Sequence, residues 1–72
     1  MRNIYSTEYQ TFLVRLREAR QAAGLTQAEA AARLKKPQSF VSKGESGARR
    51  LDVIELKHIA KLYKKPLTFF VE

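Results

Sequence analysis

From Tyr9 onward the apolar residues recur three or four positions apart. Tyr9, Phe12, Leu13, Leu16, Ala19 and Ala23 form one stripe at helical spacing. Ser6 or Thr7 stands where an N-cap belongs and Gly24 where a C′ residue belongs, so the pattern predicts a first helix between them. Thr26-Gln27-Ala28-Glu29 reads as a capping box opening a second helix to about Leu34, with Ala30, Ala31 and Leu34 inward. Pro37 suits a helix start and not an interior, which sets a third helix beginning there or at Gln38. Asp52 caps a fourth, with Val53, Leu56, Ile59, Ala60 and Tyr63 as its buried side. Pro66 opens a last short turn through Leu67, Phe69, Phe70 and Val71. No segment alternates with a period of two. The expected fold class is all-α, one domain over residues 1–72.

The second and third helices are each about two turns long and joined by a few residues around Lys35, Lys36 and Pro37. That outline fits a helix-turn-helix, and it also fits many αα-hairpins that bind nothing. Projected at ~100° per residue, the third helix places Val41, Gly44 and Glu45 on one side. Ser39, Ser42, Lys43 and Ser46 lie on the other, with Gln38 exposed at its start. Short polar groups and one long cation make a face able to enter a groove, and Gln and Lys read base edges. A plain solvated face would look the same.

Two charges fall on inward positions. Arg20 follows Leu16 by four on the first helix, and Glu45 follows Val41 by four on the third. Each is costly to bury alone, so the expectation is a paired bridge locking those helices together. Gly47 must then end the third helix, because Glu45 has to be helical to reach Arg20. Gly44 is left inside it, where a core side chain is missing. Either Phe40 folds over that gap or the site stays loose, and Gly44→Leu or Gly44→Tyr is expected to raise the melting temperature.

The 72 residues carry a net charge of +7 and no cysteine. Disulfides and thiol chemistry are excluded. A single histidine, His58, with no carboxylate pair, metal-ligand cluster or phosphate loop argues against an enzyme, and no cofactor is expected. The start of the chain, Met1 to Ser6, lacks the apolar run of a leader, and no stretch is long enough to span a bilayer. A cytoplasmic location is expected. The charge is uneven: Arg33, Lys35, Lys36, Lys43, Arg49 and Arg50 face Glu45 alone within residues 33–50, while the rest is nearly balanced. Such a block is the footprint of a polyanion partner or a merely solubilising face.

These residues together resemble the helix-turn-helix domains of phage repressors and Cro proteins (the XRE family), which are widespread among bacterial regulators. The resemblance rests on Leu16, Arg17, Arg20 and the run Gly24-Leu25-Thr26-Gln27-Ala28-Glu29, then Ala32. It continues in Pro37-Gln38-Ser39, Ser42-Lys43, Glu45 and Gly47, and in Leu51, Leu56, Ile59-Ala60 and Pro66-Leu67. It covers residues 12–71. It implies a compact five-helix, lambda repressor-like bundle with the third helix in the DNA major groove. Gln38, Ser39, Ser42 and Lys43 match the base-reading positions. Gln27, Lys35, Lys36, Ser46, Arg49 and Arg50 fall to the phosphates, and Arg20–Glu45 to a buried structural ion pair. Three positions depart from the pattern: Lys35 and Lys64 replace the glycines that end the second and fourth helices, and Gly44 replaces a large core residue.

The resemblance implies a sequence-specific regulator of transcription on double-stranded DNA, in the first place a repressor bound as a homodimer to a two-fold site. A different class shares the fold: the antitoxin of a toxin–antitoxin pair, whose partner is a toxin protein. Phe69 and Phe70 cannot both point inward from a one-turn helix, which places a dimer contact there. With little chain after that turn, regulation is expected through concentration or a partner protein.

Overall fold

Ser6 opens the first helix: from an extended backbone its hydroxyl accepts the Tyr9 N–H at 3.1 Å, satisfying one of the amides that a helix start leaves unpaired. The computed structural model describes residues 6–71. The reading of residues 1–5 as no leader lies outside the described residues. Five helices follow in order, α1 (Thr7–Ala22), α2 (Gln27–Leu34), α3 (Gln38–Ser46), α4 (Val53–Tyr63) and α5 (Leu67–Val71), with no strand among the described residues.

Three of the helices end in the same way. At the end of α1, Gly24 has φ +76°, its N–H donates to Gln21 O, and Leu25 N–H donates to Arg20 O. This is the Schellman pattern, which closes orphan carbonyls through one left-handed residue. Lys35 and Lys64 do the same for α2 and α4, each at φ 60°. Lys36 N–H reaches Ala31 O, and Lys65 N–H reaches Ala60 O. Both lysines thus take the left-handed conformation in place of glycine and bear its cost. Replacing either by glycine should stabilise the protein by about 0.5–1 kcal/mol, the relief of that strain less glycine's greater freedom when unfolded. Thermal melts of Lys35→Gly and Lys64→Gly check this; a lower melting temperature in both would show no strain at these caps.

The core is built from Leu16 and Ala19 of α1, Ala30 and Ala31 of α2, Phe40 and Val41 of α3, the inner face of α4, and Phe70 of α5. Ala19 and Ala30 are fully buried, and such small side chains let helix backbones come close. α3 packs on α1 and α2, and α5 closes the other end against α1 and α4. Two residues expected inward are exposed. Ala23 has already left α1 as its C-cap and lines an open cleft with Arg33 and Leu62. Val53, the first residue of α4, is 68% exposed at the edge of an open cleft between α1, α4 and α5. Leu51, just before the cap, is the half-buried residue that packs on the core instead.

Leu51 also resolves the gap at Gly44. A Cβ built on Gly44 would meet Leu51 Cδ2 at 3.6 Å and Cδ1 at 3.8 Å. The loop leucine therefore fills the space, and the expectation that Phe40 covers it or that it stays loose is corrected. What remains is a mostly apolar void of about 10 Å³ between Leu16, Phe40, Val41, Glu45, Leu51, Ile59 and Tyr63, near the lower limit for one water. Alanine fits at position 44 in ordinary contact; leucine or tyrosine does not, so neither is expected to stabilise.

Candidate nucleic-acid interface

Pro37 begins α3 as N-cap with no side-chain hydrogen bond, and Phe40 N–H donates back to Pro37 O at 2.9 Å. Gly47, at φ 86°, ends it. Between these ends the helix divides cleanly. Phe40, Val41, Gly44 and Glu45 are buried, whereas Gln38, Ser39, Lys43 and Ser46 are exposed and Ser42 is half-buried. The four residues read as base contacts therefore share one outward face, although two of the serine hydroxyls turn back on the helix. Ser42 Oγ donates to Ser39 O at 3.4 Å and Ser46 Oγ donates to Lys43 O at 3.2 Å. Ser46 Oγ also accepts from Ala48 N–H. A phosphate would require the Ser46 hydroxyl to give up its bond within the helix.

The inner face is fixed by one ionic network. Arg20 Nε lies 2.6 Å from Glu45 Oε2, and Arg20 Nη2 donates to Glu45 Oε1 at 3.1 Å. Arg20 Nη1 donates to Leu25 O at 2.9 Å. Both residues are under a tenth exposed. The bond to Glu45 raises the pKa of Arg20 above its ordinary value, outweighing burial, which acts the other way. Arg17, on the exposed rim, approaches the same carboxylate at 3.6 Å. The network holds α1, the turn before α2 and the second half of α3 at one point, which sets the angle between α2 and α3.

Gln27 joins it too, donating from Nε2 to Glu45 Oε1 at 3.1 Å. Read from the sequence only as a phosphate contact, this side chain gives one amide hydrogen to Glu45 and keeps the second for another acceptor. The bond ties the first turn of α2 directly to α3, and nothing in the spacing pointed to it.

Two members of the basic block meet on one ring. Lys36 Nζ lies 5.4 Å and the Arg49 guanidinium 4.9 Å from the centroid of Phe40, both within cation–π range. Phe40 thus joins the α2–α3 turn to the loop after α3. Lys35 is exposed at the left-handed cap of α2. Arg50 lies over the Tyr9 ring at 4.6 Å, linking the same loop to the start of α1. Arg49 is also bound by Glu55, through Nη1 to Oε1 at 3.0 Å and Nη2 to Oε2 at 2.9 Å. Glu55 is a functional neighbour that charge and helical spacing do not single out. Its signal was available, since Asp52-x-x-Glu55 repeats the capping-box spacing of Thr26 and Glu29, and both halves of that box form.

Among the described residues no group of three or more His, Cys, Asp or Glu could hold a metal ion, and no helix is long and apolar enough to cross a membrane. A helix-turn-helix family model matches residues 16–70, and the chain belongs to that family. No curated protein matches the chain.

Proposed function

We propose that this Cro/C1-type helix-turn-helix protein is a transcriptional repressor that binds a two-fold symmetric operator as a homodimer. The observation that carries the reading is the division of α3 into a buried face locked by Arg20 and Glu45 and an outward face of Gln38, Ser39, Ser42 and Lys43. A helix held rigidly from behind and polar in front is what major-groove reading needs. Gln38 and Lys43, with the longest donors on that face, carry most of the base discrimination; Ser39 and Ser42 accept or donate at closer range. Phosphate contacts fall to the second amide hydrogen of Gln27, to Lys35, Lys36 and Arg50, and to Ser46 once its hydroxyl turns.

The dimer contact belongs on α5 and the start of α4. Leu67, Val71 and Val53 are exposed there, while Phe70 is buried and Phe69 stands half-buried edge-on against it, centroids 5.3 Å apart. Selecting bound duplexes from a random pool tests the reading. The expected product is a two-fold motif with half-sites one helical turn apart, roughly 34 Å. An asymmetric motif would rule out the dimer, and no enrichment would rule out sequence-specific binding.

A further inference from the structure

Residues 49 and 50 are adjacent arginines that charge alone treats as equivalent. The surroundings of Arg49 bind its charge within the protein. The Arg49 guanidinium faces both oxygens of Glu55, gives a further bond from Nη1 to Arg50 O at 3.2 Å, and stacks on Phe40. Three of its five N–H groups are committed, and its charge is matched by a carboxylate. Glu55 is held as firmly. Its Oε1 accepts Asp52 N–H at 3.0 Å while its own N–H donates to Asp52 Oδ1 at 2.7 Å. Its side chain is 16% exposed. The bond from Arg49, helped by Asp52 N–H, pulls the Glu55 carboxyl down to about 2, so it stays ionised throughout the neutral range.

The Arg49 side chain is 43% exposed and keeps two N–H groups for another acceptor, but a phosphate there would lie beside the Glu55 carboxylate and meet a charge already matched, unless the bidentate pair opens. We propose that Arg49 is a positioning residue that fixes the α3–α4 loop, and that Glu55 withholds its charge from the DNA backbone. The loop of residues 47–52 is then tied at Arg49 to α4 on one side and to Phe40 of α3 on the other. Glu55 thereby sets how many phosphates this end of the protein neutralises, restraining affinity for DNA of any sequence and leaving discrimination to α3. The inference rests on the DNA-binding reading above.

Equilibrium binding to a short random-sequence duplex, titrated with salt, tests it. Each phosphate neutralised adds about 0.9 to the slope of log K against log salt. Glu55→Gln keeps the α4 cap, because Gln serves at that position, but releases the Arg49 charge. It should tighten binding several-fold at low salt and steepen the slope by about one unit. The double variant Arg49→Gln/Glu55→Gln preserves net charge and should bind with the parent's slope. A double variant whose slope is shallower by about one unit would show that Arg49 holds a phosphate and overturn the proposal. So would a Glu55→Gln protein that melts like the parent yet binds no tighter. If the double variant does not fold, Glu55→Gln alone decides. A parent protein with no salt-dependent affinity for duplex DNA would overturn the DNA reading itself, a result distinct from either of these.

Discussion

Truncating Glu45 to alanine should destabilise the protein by roughly 3–5 kcal/mol, enough to lower its melting temperature by on the order of 20 °C. The size follows from what is left behind. Arg20 is 8% exposed, and without Glu45 its guanidinium keeps only the Leu25 carbonyl as a partner. Gln27 loses its acceptor in the same step. Arg20→Ala should cost somewhat less, because Glu45 retains the Gln27 amide and the rim cation Arg17. Replacing both by apolar residues, Arg20→Met with Glu45→Leu, should cost less than either truncation, since no charge is then stranded. Denaturant titration of the parent, the two alanine variants and Arg20→Ala/Glu45→Ala as a double-mutant cycle measures the coupling, with Arg20→Met/Glu45→Leu compared separately. Strictly additive effects would mean that the two side chains do not meet.

Leu51→Ala should be the next most damaging change, at roughly 2–3 kcal/mol, the low end of the range for truncating a core leucine because Leu51 is only half-buried. This loop residue supplies the side chain that position 44 lacks. Removing it joins its own volume to the existing void beside Leu16, Val41 and Ile59. The parent protein should respond in the opposite way to filling position 44 in small and large steps. Gly44→Ala should gain about 0.5–1 kcal/mol from the helix backbone alone, whereas Gly44→Leu must push Leu51 aside and should cost about 1–3 kcal/mol. In the Leu51→Ala background that sign should reverse, with Gly44→Leu restoring part of the loss. Melting curves of these variants decide it, and a stabilising Gly44→Leu in the parent would mean that Leu51 does not occupy the space.

The helix ends were legible where a side chain itself makes the end. Ser6, Thr26 and Asp52 cap through their own oxygens, and Gly24 and Gly47 permit a positive φ that the chain then uses. The left-handed lysines were legible only as anomalies, because the terminating hydrogen bonds of α2 and α4 impose that conformation on whatever residue stands there. Burial followed helical period within the middle turns and failed at the ends, at Ala23 and Val53, which stand at the edges of open clefts and not in the packed core. The packing of Leu51 on Gly44 was not legible, because Leu51 lies in a loop, where no period assigns a side, and it meets Gly44 across a chain reversal. The same reversal brings Glu55 onto Arg49 six residues away. The outward face of α3 was readable from spacing alone; the turning of Ser42 and Ser46 back onto the backbone was not, because a serine hydroxyl chooses among local acceptors that only the folded chain defines.

The claim on which the rest depends is that α3 reads DNA bases, and the selected motif of altered proteins addresses it most directly. Selection from one random duplex pool should be run in parallel on the parent, Gln38→Ala and Lys43→Ala. Both side chains are exposed, so neither change should disturb the fold. The parent should enrich a single motif. Each variant should lose preference at its own position within both half-sites, by about 1–3 kcal/mol per lost contact, while keeping the remaining positions. Three identical motifs would contradict the account, since the outward face of α3 would then carry no sequence information.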